Sequence, residues 1–206
     1  PSDGEGGETD LYKKDGTDLA ATTKLKTFSA EPYMQLNNNG YGRAVDIDGN
    51  YAVVVAQTTG IGYVLEYDGT SWNKIAKLRA TGWHKDDFFG SSAAISGNLI
   101  VIGAQNASIY ANDEGAVYLY EKPENGWEDT TETARLTSSN YDNAGSFGNA
   151  VGVSGNTVVV GDYTQDYLAD KGGAVYVFDK PLDGWKNMTQ TAILNASDVA
   201  HSSYVG

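Results

Sequence analysis

Short apolar runs separated by Gly-centred turns fill the chain, and their period is two. Val45 and Ile47, Ala93 and Ile95, and Val151 and Val153 alternate with other residues, which sets one side of each strand against a core. Each run ends in a tight triplet: Asp48-Gly49-Asn50, Ser96-Gly97-Asn98 or Ser154-Gly155-Asn156. Gly and Asn accept the positive φ that such hairpins require. A second strand follows that is apolar throughout, Leu99 to Ala104 and Thr157 to Gly161, so both of its faces are expected to be covered. The third alternates again and carries an aromatic column of Tyr12, Tyr67, Tyr120 and Phe178. The fourth, Lys74 to Arg79 and Thr133 to Thr137, is more polar, as suits an outer edge.

These four-strand units repeat. Tyr41 to Ala56, Phe89 to Ala104 and Phe147 to Asp162 align without gaps, with openings 48 and 58 residues apart. Gly115 to Pro123 matches Gly173 to Pro181, and Gly62 to Tyr67 is a shorter version. A Trp follows each (Trp72, Trp127, Trp185), then a Leu (Leu78, Leu136, Leu194). Residues 1–40 read as the second half of a unit, with Gly6 to Lys14 matching the 172–180 stretch. Residues 41–88, 89–146 and 147–203 read as whole units, and 204–206 as the start of the next. All belong to one domain. Four antiparallel strands per unit, stacked around an axis, predict an all-β fold, a β-propeller with about three and a half blades present.

The Phe89-Gly90 opening, the apolar strand and the Gly103-Ala104 that ends it resemble the FG-GAP repeat. That repeat builds the seven-bladed propeller of integrin α-subunits. The form here is closer to a bacterial and algal branch that lacks the calcium loop. The resemblance covers nearly the whole chain, from about Gly6, and implies that these residues are part of a larger propeller. The remaining blades would come from the same longer chain or from another chain. Integrin-type repeats place an Asp-rich calcium loop between their first two strands. Here only Asp46 and Asp48 remain, a weak calcium candidate, because calcium takes six to eight oxygens. No other metal or cofactor is expected.

Composition narrows the function. The chain has 206 residues, 14 basic and 27 acidic, with a net charge of −13. Nucleic acid is a poor partner for such a surface, since phosphate binding needs clustered Lys and Arg. No apolar run is long enough to span a bilayer, so this segment is not expected to insert into a membrane. Cysteine is absent, which removes disulfides and thiolate chemistry. The start at Pro1, without Met or an apolar leader, reads as a processed, excised or partial chain.

Candidate chemistry is sparse. His84 and His201 are the two histidines, and neither has a counterpart in the other units. The long loops between second and third strands mix Tyr with carboxylates. Tyr110, Asp113, Glu114, Tyr163, Asp166 and Tyr167, joined by the unrepeated Trp83, are the candidate binding rim. Trp72, Trp127 and Trp185 recur at one position and read as structural. Sequons at Asn106, Asn187 and Asn195 permit N-glycosylation, although chance supplies a comparable number. The expectation is a non-enzymatic interaction or adhesion module, outside the cell or on its surface, that presents rim loops to a protein or glycan or joins a larger assembly. The alternative is a lectin-like propeller with repeated aromatic glycan sites. An enzyme with a site at the propeller centre ranks behind both, because no set of polar groups converges there.

Overall fold

A computed structural model describes residues 8–14, 22–29, 40–110, 113–140, 145–164 and 173–195. Strands β1 (Glu8–Lys14) and β2 (Thr22–Ser29) pair as an antiparallel half-blade. The first full blade is β3 (Tyr41–Asp48), β4 (Tyr51–Ala56), β5 (Ile61–Tyr67) and β6 (Trp72–Arg79). The second is β7 (Phe89–Ser96), β8 (Leu99–Ala104), β9 (Ala116–Glu121) and β11 (Ala134–Thr137), with a two-residue β10 (Thr130–Thr131) on the way. The third is β12 (Ala150–Ser154), β13 (Thr157–Asp162), β14 (Ala174–Asp179) and β16 (Ala192–Leu194), with β15 (Met188–Thr189) in the same intermediate place. Each sheet is an antiparallel meander in chain order, and the first strands β3, β7 and β12 pack side by side.

Alternation gives every blade two unlike faces. The face toward the preceding blade is aromatic: in the second blade it carries Phe89, Tyr118, Tyr120 and Trp127 with Ile100 and Ile102. The face toward the following blade is aliphatic: Val101, Val117, Leu119 and Leu136. Val53, Val55 and Leu78 of the first blade meet the aromatic face of the second, and the aliphatic face of the second meets Phe147, Tyr176, Phe178 and Trp185 of the third. The pairing register refines the aromatic column. Ala52 pairs with Leu65, Ile100 with Tyr120 and Val158 with Phe178, so the first-blade member is Leu65. Tyr67 lies two residues beyond, where its amide bonds Asn50 as Lys122 bonds Asn98. At the inner end of the first blade Val45 and Ile47 are 53% and 55% exposed, whereas Ile95, the counterpart of Ile47, is 5% exposed against the first blade.

The opening dipeptide locks one blade into the last. Phe147 is fully buried and meets Tyr176 and Phe178 edge-on, with ring centroids 5.1 and 6.0 Å apart. Phe89 meets Tyr118 in the same way at 5.4 Å. The following glycine then approaches the backbone of the preceding blade. A Cβ on Gly103 would lie 2.0 Å from the Gly148 carbonyl oxygen, which also accepts from Ser91 Oγ at 2.9 Å and Ser92 Oγ at 2.8 Å. Gly148 itself has φ +89, the left-handed region that favours glycine.

The outer strands β6 and β11 are not free edges. β10 adds to β6 in parallel, pairing Thr130 with Leu78, and β15 adds to β11, pairing Met188 with Leu136. Side chains flanking each addition cap backbone amides of the preceding blade. Asp129 accepts from the Lys77 amide at 2.8 Å, and Glu132 accepts from the Thr81 amide at 3.0 Å and from the Thr81 hydroxyl. One blade later Asn187 accepts from the Arg135 amide at 2.8 Å, and Gln190 accepts from the Ser139 amide at 3.0 Å. This clasp, an Asp or Asn followed three residues later by a Glu or Gln, explains how the polar fourth strand avoids open pairing.

Gly103→Ala forces a methyl into the Gly148 carbonyl and is expected to destabilise the fold by about 1–3 kcal/mol. Phe147→Ala is expected to cost about 3–5 kcal/mol. Urea denaturation midpoints of the two variants against the parent chain check both.

Candidate interaction rim

The loops leading into each first strand and those joining second to third strands share one end of the blades, because Phe89 pairs with Ala104 at that end. Three buried carboxylates stand at their bases. Asp87 closes a 3-10 turn at Lys85–Asp87 and accepts the His84 amide at 2.8 Å, while its carbonyl accepts the Asn106 amide at 3.2 Å. Glu114 accepts the Tyr110 amide at 2.8 Å. Asp162 accepts the Ser146 amide at 3.1 Å and both the amide and hydroxyl of Thr164, at 3.0 and 2.9 Å. Each buried acceptor satisfies loop amides that regular pairing leaves out, so these acids hold loop shape. Burial pushes the Asp87 carboxyl above the ordinary carboxylate range, against the opposing pull of the His84 amide and His84 charge. Burial likewise carries the nearby Tyr118 phenol up to about 12.

The predicted rim residues separate into distinct groups. Tyr110 projects with 67% of its surface exposed. Beside it a cavity of about 190 Å³ is lined by Ile109, Tyr110, Arg135, Thr137, Asn187 and Thr189. Asp113 is exposed and holds φ +54, with its amide bonded to Ser108 Oγ at 3.0 Å. Glu114 is a buried strut and Tyr163 is half-buried. Asp166 and Tyr167 lie outside the described residues, as does His201. Trp83 is half-buried and lies across Gly60, where an added Cβ would sit 2.5 Å from the indole ring. Its ring is committed to packing. His84 is exposed.

Trp72, Trp127 and Trp185 are buried, and Trp127 and Trp185 lie inside the interblade cores. Only 6–7% of each is exposed, so their rings are largely spent on packing. Asp46 and Asp48 brace the next blade: their carboxylates accept the Ile95 amide at 2.8 Å and the Gly97 amide at 2.6 Å. Among the described residues no three His, Asp or Glu side chains gather as a metal centre would require. Of the sequon residues, Asn187 is exposed, Asn106 is half-buried, and Asn195 keeps its carbonyl oxygen buried. In the sequence Asn187 is marked only as a sequon, and Asp129, Glu132 and Gln190 are unmarked, so the clasp role of all four comes from the structure. Their common distance after Trp127 and Trp185, repeated at 58 residues, is the signal that marks them.

Residues 72–120 and 130–178 each match the FG-GAP repeat family. No curated protein matches the chain. Among solved structures, the WD40 β-propeller domain of Doa1 is similar at 14% identity and a TM-score of 0.42. That similarity spans 66% of this chain and 37% of the other.

Because the folded-state pKa of Asp87 is raised, its contribution to stability is full at low pH and is lost as pH rises through the raised value. Asp87→Asn keeps an acceptor for the His84 amide and stays neutral. It is expected to unfold at higher urea than the parent at neutral pH, with the gap closing on acidification. Urea titrations across the acidic range check this, and a variant weaker at neutral pH contradicts it.

Proposed function

We propose that this chain, which carries FG-GAP repeats within a β-propeller, is a non-catalytic protein-interaction module of a propeller that works outside the cell or on its surface. The carrying observation is the rim of the second blade. Glu114 fixes the backbone of Tyr110, and the Tyr110 ring stands exposed above the cleft it shares with Arg135 and Asn187. A rigid, amphipathic aromatic beside a basic group and amides suits protein recognition, since Tyr supplies contact area at small entropic cost. The buried acids support the same reading, because Asp87, Glu114 and Asp162 all accept loop amides. They prepare a surface by fixing its loops in advance, which lowers the entropic cost of binding. Among the described residues no helix is long and apolar enough to cross a membrane. Its acidic charge directs the surface toward basic partners.

A photoreactive phenylalanine analogue at Tyr110, with a second at the fully exposed Leu182 as control, tests this on the surface proteins of the native source. The expected result is a discrete adduct at position 110 alone. Excess parent chain should compete it away, and excess Tyr110→Ala chain should compete at least tenfold less well. Equal labelling at both positions, or equal competition by the two chains, overturns the rim assignment.

A further inference from the structure

At the end of the blades opposite the Tyr110 rim, where Ser96 pairs with Leu99, the first residue of each second strand faces a carboxylate on the third strand. Register pairs Tyr51 with Glu66, Leu99 with Glu121 and Thr157 with Asp179. In the first and third blades the pair is a hydroxyl on an acid. Tyr51 Oη donates to Glu66 Oε1 at 2.9 Å, and Thr157 Oγ1 donates to Asp179 Oδ1 at 2.7 Å. Leu99 has no hydroxyl to give. Glu121 is met instead by Lys180 from the third blade, whose Nζ lies 2.7 Å from Oε1. Lys180 is the counterpart of Lys122, since their amides bond Asn156 and Asn98 alike. Lys122 reaches back to the first blade and lies over the Tyr51 ring, 4.7 Å from its centroid. The junction of first and second blades thus holds a phenol ring beneath a lysine, with its hydroxyl on a glutamate. The next junction keeps the lysine and the glutamate and lacks the phenol. A cavity of about 330 Å³ opens there, lined by Asn98, Leu99, Glu121, Asn156, Lys180 and Trp185.

We propose that this cleft between second and third blades is a binding site for a phenol, delivered as a tyrosine side chain by a partner polypeptide. Tyr51 supplies the pose within the same fold. The incoming ring lies under Lys180, as Tyr51 lies under Lys122, and sets its hydroxyl on Glu121, as Tyr51 does on Glu66. An ammonium over an aromatic face is attracted by the ring quadrupole. Leu99 and Trp185, 5% and 7% exposed, give the ring an apolar floor. The Lys180–Glu121 pair does not close the site. Both side chains are about a third exposed, where an ion pair contributes little, and a carboxylate accepts at two oxygens. The exposed Asn98 and Asn156 at the lip carry amide groups that can bond the backbone bearing the tyrosine, which is why a polypeptide is the source assigned. The site stands apart from the Tyr110 cleft and does not rest on it.

The test titrates p-cresol, N-acetyl-tyrosinamide and toluene into the isotope-labelled full chain and follows its amide resonances by NMR. The two phenols are expected to shift the amides of Gly97, Asn98, Gly155 and Asn156 saturably and with similar affinity. Toluene, which lacks the hydroxyl, is expected to bind roughly tenfold more weakly than p-cresol, as suits the loss of a hydrogen bond to a charged group. Glu121→Ala should erase that difference. Leu99→Tyr installs in the cleft the residue found one blade earlier. It is expected to keep the parent urea midpoint and to bind either phenol more weakly by roughly tenfold or more, because its own ring holds the space. Glu121 is half-exposed, so Glu121→Ala keeps the test readable should Leu99→Tyr fail to fold. Absence of saturable shifts at these amides overturns the proposal, as does equal affinity for toluene and p-cresol, or unchanged phenol binding by folded Leu99→Tyr. Binding of p-cresol without binding of N-acetyl-tyrosinamide overturns the polypeptide as the source of the phenol.

Discussion

Everything in this fold depends on how closely the backbone of one blade can approach the next. At the junction of second and third blades the contact is peptide against peptide. The Gly148 carbonyl sits where any side chain on Gly103 would be, and Ser91 and Ser92 bond that carbonyl. Buried backbone carbonyls need partners, and here the preceding blade supplies them. The neighbouring Phe147 fills the space beside this contact and turns its ring edge-on to Tyr176. The Phe147-Gly148 and Gly103-Ala104 dipeptides are therefore two halves of one joint, contributed by successive blades. Between first and second blades the joint is looser in kind: Gly90 faces the Val55 side chain, because valine stands there in place of glycine.

The strand plan was legible from the chain because two-residue alternation and Gly-centred turns are local properties. Val45, Ile95 and Val153 announce a face, and Gly97 or Gly155 announces the reversal, without reference to anything distant. Register was harder. Tyr67 and Leu65 share a face, so residue type alone could not decide which belongs with Tyr120; only the pairing of Ala52 with Leu65 does so. The clasp was harder again. A strand of two residues has no periodicity to read, and Asp129 acquires its meaning only from Lys77, far away in the sequence.

The rim shows the same limit from the other side. A run of carboxylates and tyrosines suggests ligand contact by composition, yet burial divides it. Glu114 and Asp162 turn inward to satisfy amides, while Tyr110 turns out. Asp46 and Asp48 likewise look like the remnant of a cation loop, and in the fold they reach across to amides of β7 and the turn that follows it. Trp83 joins the candidate rim by having no repeat counterpart, yet in the fold its ring lies over the short 57–60 turn of the first blade. Among the described residues, Asp46, Asp48, Asp87, Glu114, Asp129, Glu132 and Asp162 act as connectors between backbone segments that regular pairing does not reach.

The clasp places its chemical specificity on one partner alone. The incoming blade must carry Asp or Asn and then Glu or Gln, whereas the receiving strand contributes main-chain amides, which every residue except proline possesses. Lys77 and Arg135 occupy this receiving position, and Ile193 holds the equivalent register in the third blade. The clasp itself therefore asks only for a main-chain amide at that position, while the neighbouring Leu78 and Leu136 stay tied to the interblade cores. The second and third blades each carry this connector, whereas the first blade runs from Trp72 directly into its outer strand. At the inner joint the receiving strand does matter, since Gly103 admits the Gly148 carbonyl and Val55 does not; the outer clasp and the inner joint therefore constrain sequence on opposite partners.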